Sequence, residues 1–120
     1  MSYMLLIQEP VGQRATRTEA QGQEAYAAMQ RFGQAIEAAG QLQAVASLAG
    51  LNSAARVHQG QVLDGPFAEA KEMVGGFFLL QGVDRSQALA WALQCPAAAW
   101  ATVEVRALAP CFDESAAAAA

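Results

Sequence analysis

The sequence predicts an α+β domain, on the evidence of two patterns. Short apolar runs of strand length alternate with two segments of helical periodicity, in the order β-α-β-β-β-β-α-β. Two of those runs, Tyr3 to Gln8 and Phe77 to Gln81, are apolar on both faces, although two helices can cover only one face of a sheet. The order is a ferredoxin-like β-α-β-β-α-β plan with an extra β-hairpin in the middle. The bare face then calls for a second copy of the same sheet, by the usual preference of soluble chains for two-fold homodimers.

Each element has its own local reason. Tyr3-Met4-Leu5-Leu6-Ile7-Gln8 is a strand ended by Pro10 and Gly12, with Tyr3, Leu5 and Ile7 on one face and Met4 and Leu6 on the other. From Thr18 to Ala39 the apolar positions Ala25, Met29, Phe32, Ile36 and Ala39 recur at helical spacing. Thr18 or Thr16 is the candidate N-cap, and Gly40 stands where a left-handed C-terminal cap belongs. A second strand covers Gln41 to Ser47. A third, Ala54 to Gln59, turns at Gln59-Gly60 into a short fourth ending at Leu63.

Asp64-Gly65-Pro66-Phe67 is a turn signal, Ala68 to Val74 is expected to wind into a helical turn, and Gly75-Gly76 permits a tight backbone placement. Phe77 to Gln81 is the buried central strand. Asp84-Arg85-Ser86-Gln87 has the spacing of a capping box. The helix that follows is expected to face inward through Ala88, Leu89, Ala92 and Leu93 and to stop at Pro96. Ala101 to Leu108 alternates as the last strand, with Val103 and Val105 on one face and Thr102, Glu104 and Arg106 on the other.

Composition bounds the function. The 120 residues are 54% hydrophobic and 15% charged, with a net charge of −4 and a pI near 4.8. Twenty-nine of them are Ala, so bulky side chains carry the core and a small subunit gains from pairing. The seven basic residues are scattered, which argues against nucleic acid as a direct partner. The longest apolar runs fall far short of the roughly 20 residues that span a bilayer. The start of the chain lacks a basic region and a long apolar core, so a cytoplasmic location is expected. Residues 1–110 read as one domain followed by an Ala-rich tail, 111–120. Cys95 and Cys111 lack metal or redox spacing, and neither a metal nor an organic cofactor is expected.

The densest run of reactive groups is Asp64 to Glu72. Asp64, held by a Gly-Pro turn beside an aromatic ring, is a candidate general base if burial raises its pKa; alternatively it makes an Asx-turn with its own backbone. Lys71 is a candidate point charge for an anionic ligand, or one partner of a surface pair with Glu69 or Glu72. Glu104 and Arg106, about 7 Å apart on one strand face, form either an inter-subunit ion pair or the polar end of a ligand cavity. His58, the only His, shares a face with Arg56 and would act as a base only with an acid to orient it.

The segment Asp64-Gly65-Pro66-Phe67-Ala68-Glu69-Ala70-Lys71-Glu72, followed by Gly75-Gly76-Phe77, resembles the signature of DGPF-domain proteins within the YCII-related superfamily. Tyr3 to Ile7, Ala88 to Ala92 before Cys95-Pro96, and Val103 to Arg106 extend the resemblance over nearly the whole chain. The resemblance implies a dimeric α+β-barrel of ferredoxin-like subunits. It also implies an Asp–His pair in a pocket with lyase- or isomerase-like chemistry on small aromatic or lactone-like compounds. Asp64 matches the Asp, but the His of that pattern falls in the first helical region, where this chain has none. Such proteins also resemble components associated with extracytoplasmic sigma factors.

The expectation is therefore a homodimeric domain that binds a small anionic or aromatic molecule, with its pocket between the sheet and residues 64–72. Asp64 would be the proton-transfer group, and Lys71, Glu104, Arg106, Arg56 and Phe67 would bind the substrate. The alternative is a non-catalytic regulatory or protein-interaction module linked to sigma-factor control.

Overall fold

The computed structural model describes residues 1–116; the last four residues of the Ala-rich tail lie outside the described residues. Six strands and two α-helices follow in the order β1 (Ser2–Pro10), α1 (Glu19–Ala38), β2 (Leu42–Ser47), β3 (Ala55–His58), β4 (Gln61–Asp64), β5 (Glu72–Gln81), α2 (Arg85–Gln94) and β6 (Thr102–Ala107). Four strands pair antiparallel in the spatial order β2-β5-β1-β6, and β3 and β4 form a separate two-stranded ribbon.

The helix boundaries follow from local chemistry. Thr18 caps α1 by accepting from the Gln21 N–H, and the Gln21 side chain accepts in return from the Thr18 N–H. Asp84 and Gln87 make the same reciprocal arrangement at α2. Gly40 follows α1 at φ +73°, a conformation that costs other residues a Cβ clash. The β3–β4 turn places Gln59 at φ 48° and Gly60 at φ 78°, the paired positive values that suit the twist of a hairpin.

Both helices pack on one face of the sheet. Tyr3, Leu5, Ile7, Phe78 and Leu80 rise from the central strands against Phe32 and Ile36 of α1 and Ala88 of α2. Phe32 meets the Phe78 ring edge-on at a centroid distance of 5.0 Å. Gly33, whose absent Cβ would sit 3.3 Å from Phe78, lets α1 come down close to the strand. On the opposite face, Met4 lies across from Leu79 and Arg106, and Leu6 across from Phe77 and Glu104. Met4, Leu6, Phe77 and Leu79 are only half-buried there, since no element among the described residues covers them.

Three expectations need correction. The helical turn expected over Ala68 to Val74 is a single turn closed by the Ala70 N–H on the Phe67 carbonyl, after which β5 has begun by Glu72. Gly75 and Gly76 lie inside that strand instead of before it, where the β1–β5 register shifts by one residue opposite Ile7 and Gln8. Leu93 is 84% exposed; α2 turns its small residues inward, and Trp91 fills the space beside Phe32 while donating to the Gln41 side chain at 2.7 Å.

A cavity with a buried carboxylate as candidate functional site

The motif residues sit on and beside the β3–β4 ribbon. Asp64 ends β4, is exposed and faces Ala55 across the ribbon. The turn after it is closed by backbone, with the Gly65 N–H donating to the Ala54 carbonyl at 2.7 Å. A Cβ on Gly65 would collide with the Leu51 carbonyl oxygen, so the glycine of the motif is needed for close approach. Phe67 is buried, and the Arg56 guanidinium lies 3.8 Å from its ring centroid. Arg56 also pairs with Glu69 at 2.9 Å. Two expected substrate-binding residues therefore bind each other.

Lys71 is exposed, and its carbonyl accepts from the Val11 N–H at 2.9 Å. Glu104 and Arg106 stand 3.9 Å apart, both exposed, on the sheet face turned away from the helices. A shallow hollow bounded by Met4, Leu6 and Arg106 runs beside them.

The main cavity lies elsewhere. It occupies about 860 Å³ between α1 and the sheet, with Ile7, Met29, Leu42, Val45, Phe78 and Trp100 among its apolar walls and Glu9, Arg14 and Arg17 among its charged lining. None of Asp64, Arg56, Phe67, Lys71, Glu104 and Arg106 lines it. The cavity under α1 thus lies apart from residues 64–72, whose Asp64 belongs to the ribbon and not to the main sheet.

Glu9 is the one charged residue in the protein's buried set among the described residues, at 5% exposure. Strand alternation puts it there: it continues the buried row Tyr3, Leu5, Ile7. Beyond Pro10 the chain turns at Gly12, φ +88°, into a short 3₁₀ segment, Gln13–Thr16, that returns Arg14 to the strand end. Arg14 Nε donates to Glu9 Oε1 at 2.5 Å, Nη1 to the Leu48 carbonyl at 2.8 Å and Nη2 to the Gly75 carbonyl at 3.3 Å. Gly75 makes the room: a Cβ there would lie 2.6 Å from Glu9 Oε2.

The neighbouring Arg17 guanidinium sits 5.4 Å from the Trp100 ring centroid and reaches the Gln13 side chain at 3.4 Å. Gln13 in turn donates to the Trp100 carbonyl at 2.7 Å. The loop from Gly12 to Arg17 is thus tied to the turn that precedes β6. Sequence reasoning missed Glu9 and Arg14; the available signal was the period-two row that runs past Ile7 to a carboxylate.

Among the described residues no helix is long and apolar enough to cross a membrane, and no group of three or more His, Cys, Asp and Glu side chains is placed to hold a metal ion. A comparison with curated proteins returns no match. The chain's family is nonetheless clear: the model of the YCII-related domain matches residues 1–111, nearly the whole described chain, and the protein belongs to that family.

Proposed function

We propose that the protein is a homodimeric small-molecule-binding domain whose ligand enters the cavity between α1 and the sheet. The observation that carries this reading is an apolar cavity of about 860 Å³ with a buried carboxylate and its guanidinium partner in its lining. That combination of apolar walls and a few convergent polar groups is the usual build of a ligand site.

The strand order β2-β5-β1-β6 with both helices on one face supports the ferredoxin-like plan. Three features support pairing with a second copy. The half-buried row Met4, Leu6, Phe77 and Leu79 lacks cover among the described residues. The ribbon exposes Val57 at 73% and Val62 at 67%. The radius of gyration is 16.7 Å, against about 14 Å for a compact chain of this length. A dimeric barrel closed over the open sheet face satisfies all three.

Acid/base chemistry at Asp64 enters as a separate proposal. An exposed carboxylate gains catalytic force only when desolvated, so Asp64, with Lys71, Arg56 and Phe67 on its side of the molecule and Glu104 and Arg106 on the open sheet face, acts only if dimerisation covers it. The same exposed ribbon favours one alternative, a protein-interaction module that docks a regulatory partner on Val57 and Val62.

The cavity is tested by titrating small aromatic compounds into the protein and following the Met29 methyl and Phe78 ring signals by NMR. Saturable shifts that disappear in an Ala25→Trp variant, which fills the space beneath α1, support the reading. Shifts confined to the β3–β4 ribbon, or none at millimolar ligand, would refute it.

A further inference from the structure

We propose that Glu9 is the polar anchor of the ligand and that the ligand is a small hydrophobic amine or alcohol, held through an N–H or O–H donated to Glu9 Oε2. The inference deepens the cavity reading and rests on it.

Both guanidinium groups in the lining are engaged in part. Arg14 spends its Nε, Nη1 and Nη2 on Glu9, Leu48 and Gly75. Arg17 lies over Trp100 and reaches Gln13. The carboxylate is different: Oε1 accepts from Arg14, whereas no donor among the described residues reaches Oε2, and since no buried side-chain oxygen there is left without a partner, Oε2 opens on the cavity that Glu9 lines, in a side chain only 7% exposed. A ligand donor placed there gains a hydrogen bond to a charged acceptor inside an apolar cavity, stronger than one to a neutral group.

Charge points the same way. Glu9, Glu19 and Glu37 line the cavity against Arg14 and Arg17. An anionic ligand at Glu9 would have to compete with that carboxylate for Arg14 and approach its open oxygen, whereas an ammonium or hydroxyl donates to that oxygen directly in a lining with three carboxylates and two guanidinium groups. The Thr18–Gln21 capping box meanwhile satisfies part of the α1 N-terminus that borders the cavity, which weakens the remaining attraction for an anion. Ile7, Met29 and Phe78 then receive the apolar body.

Three near-isosteric probes separate these outcomes: phenethylamine, 2-phenylethanol and 3-phenylpropionate, each titrated into the full chain. The amine and the alcohol are expected to bind about tenfold or more tightly than the carboxylate, the scale of one hydrogen bond to a charged group. Nuclear Overhauser contacts should place the amine-bearing methylene beside Gly75. Glu9→Gln should bring the amine-to-carboxylate ratio to within about threefold of unity. Glu9→Asp, which keeps the charge but draws it back from Gly75, should weaken the amine while retaining the preference.

Equal affinities for all three probes, or an amine head located at the Leu42 end of the cavity, would overturn the anchor while leaving the cavity reading intact. If none of the probes perturbs Met29 or Phe78, the cavity reading itself falls, and the anchor with it. The comparison among probes is made on the unsubstituted protein, so it stands even if a Glu9 variant does not fold.

Discussion

Glu9 and Gly75 share one volume: the carboxylate of the first fills the space that a side chain on the second would need, with Oε2 2.6 Å from the position of the missing Cβ. Gly75→Ala must therefore push the carboxylate away from Arg14 or bend the strand. We expect a loss of about 1–3 kcal/mol, the usual range for an extra methyl in a packed site. Glu9→Asp in the same chain should recover part of it by withdrawing the carboxylate. A double-mutant cycle by urea unfolding reads the coupling; strictly additive effects would show that the two residues do not compete for space.

Arg14→Ala leaves Glu9 buried without its donor. A buried pair broken on one side costs about 3–5 kcal/mol; with Arg14 37% exposed, about 2–3 kcal/mol is expected, visible as a melting temperature lower by roughly 10 °C. Replacing both residues by Met should cost less than removing Arg14 alone. If the single and double variants melt together, the penalty does not arise from an unpaired carboxylate.

Asp64→Asn is expected to leave stability within about 0.5 kcal/mol, as for exposed positions away from special contacts, because Asp64 is exposed and its turn is closed by backbone. Loss of turnover of any substrate with stability unchanged would establish the acid/base proposal. A large drop in stability would instead assign Asp64 a structural role.

Leu6→Glu places a charge in the half-buried row on the open sheet face. Sedimentation should show a dimer for the natural chain at micromolar concentration and a monomer with unchanged circular dichroism for the variant. A natural chain that sediments as a monomer contradicts the paired-sheet reading.

The two cysteines should differ in reactivity. Burial pushes the Cys95 thiol above its ordinary value near 9.0, despite the opposing backbone hydrogen bonds from Ala97 and Ala98. Cys111 is exposed. A disulfide reagent at pH 8 should label Cys111 rapidly and Cys95 only on unfolding. The unfolded chain gives up the Cys95 proton first as pH rises, so this residue's contribution to stability is full below pH 9 and declines above it. Cys95→Ala should flatten that alkaline decline, and an unaltered slope in urea midpoints would argue against the assignment.

What was legible in the sequence was local. The capping boxes at Thr18 and Asp84, the Gln59-Gly60 turn and the cap at Gly40 each depend on neighbours within a few residues. The two-faced apolar strands were legible too, since alternation needs no partner to be seen. The cavity was not. Gly75-Gly76 looks like a turn until the register with β1 is known, and Glu9 looks like the end of a strand until Arg14 returns to it. Leu93 fails for a related reason: helical spacing gives a face, but the close approach of Ala88 to the sheet decides which way that face turns. The Asp64 motif was legible as residues and not as a site, because its ribbon pairs with no strand of the main sheet.

That ribbon has a kinetic consequence. Its strands share no ladder with the other four, and the Arg56–Phe67 contact and the Gly65 bond to Ala54 are prominent among the ties near its base. Its amide protons should exchange with deuterated solvent through local opening, long before those of β1 and β5. Exchange timing would then divide the molecule into two populations of amides, a fast set from Ala55 to Asp64 and a slow set in the central strands, and slowing of the fast set with increasing protein concentration would reveal what finally settles on it.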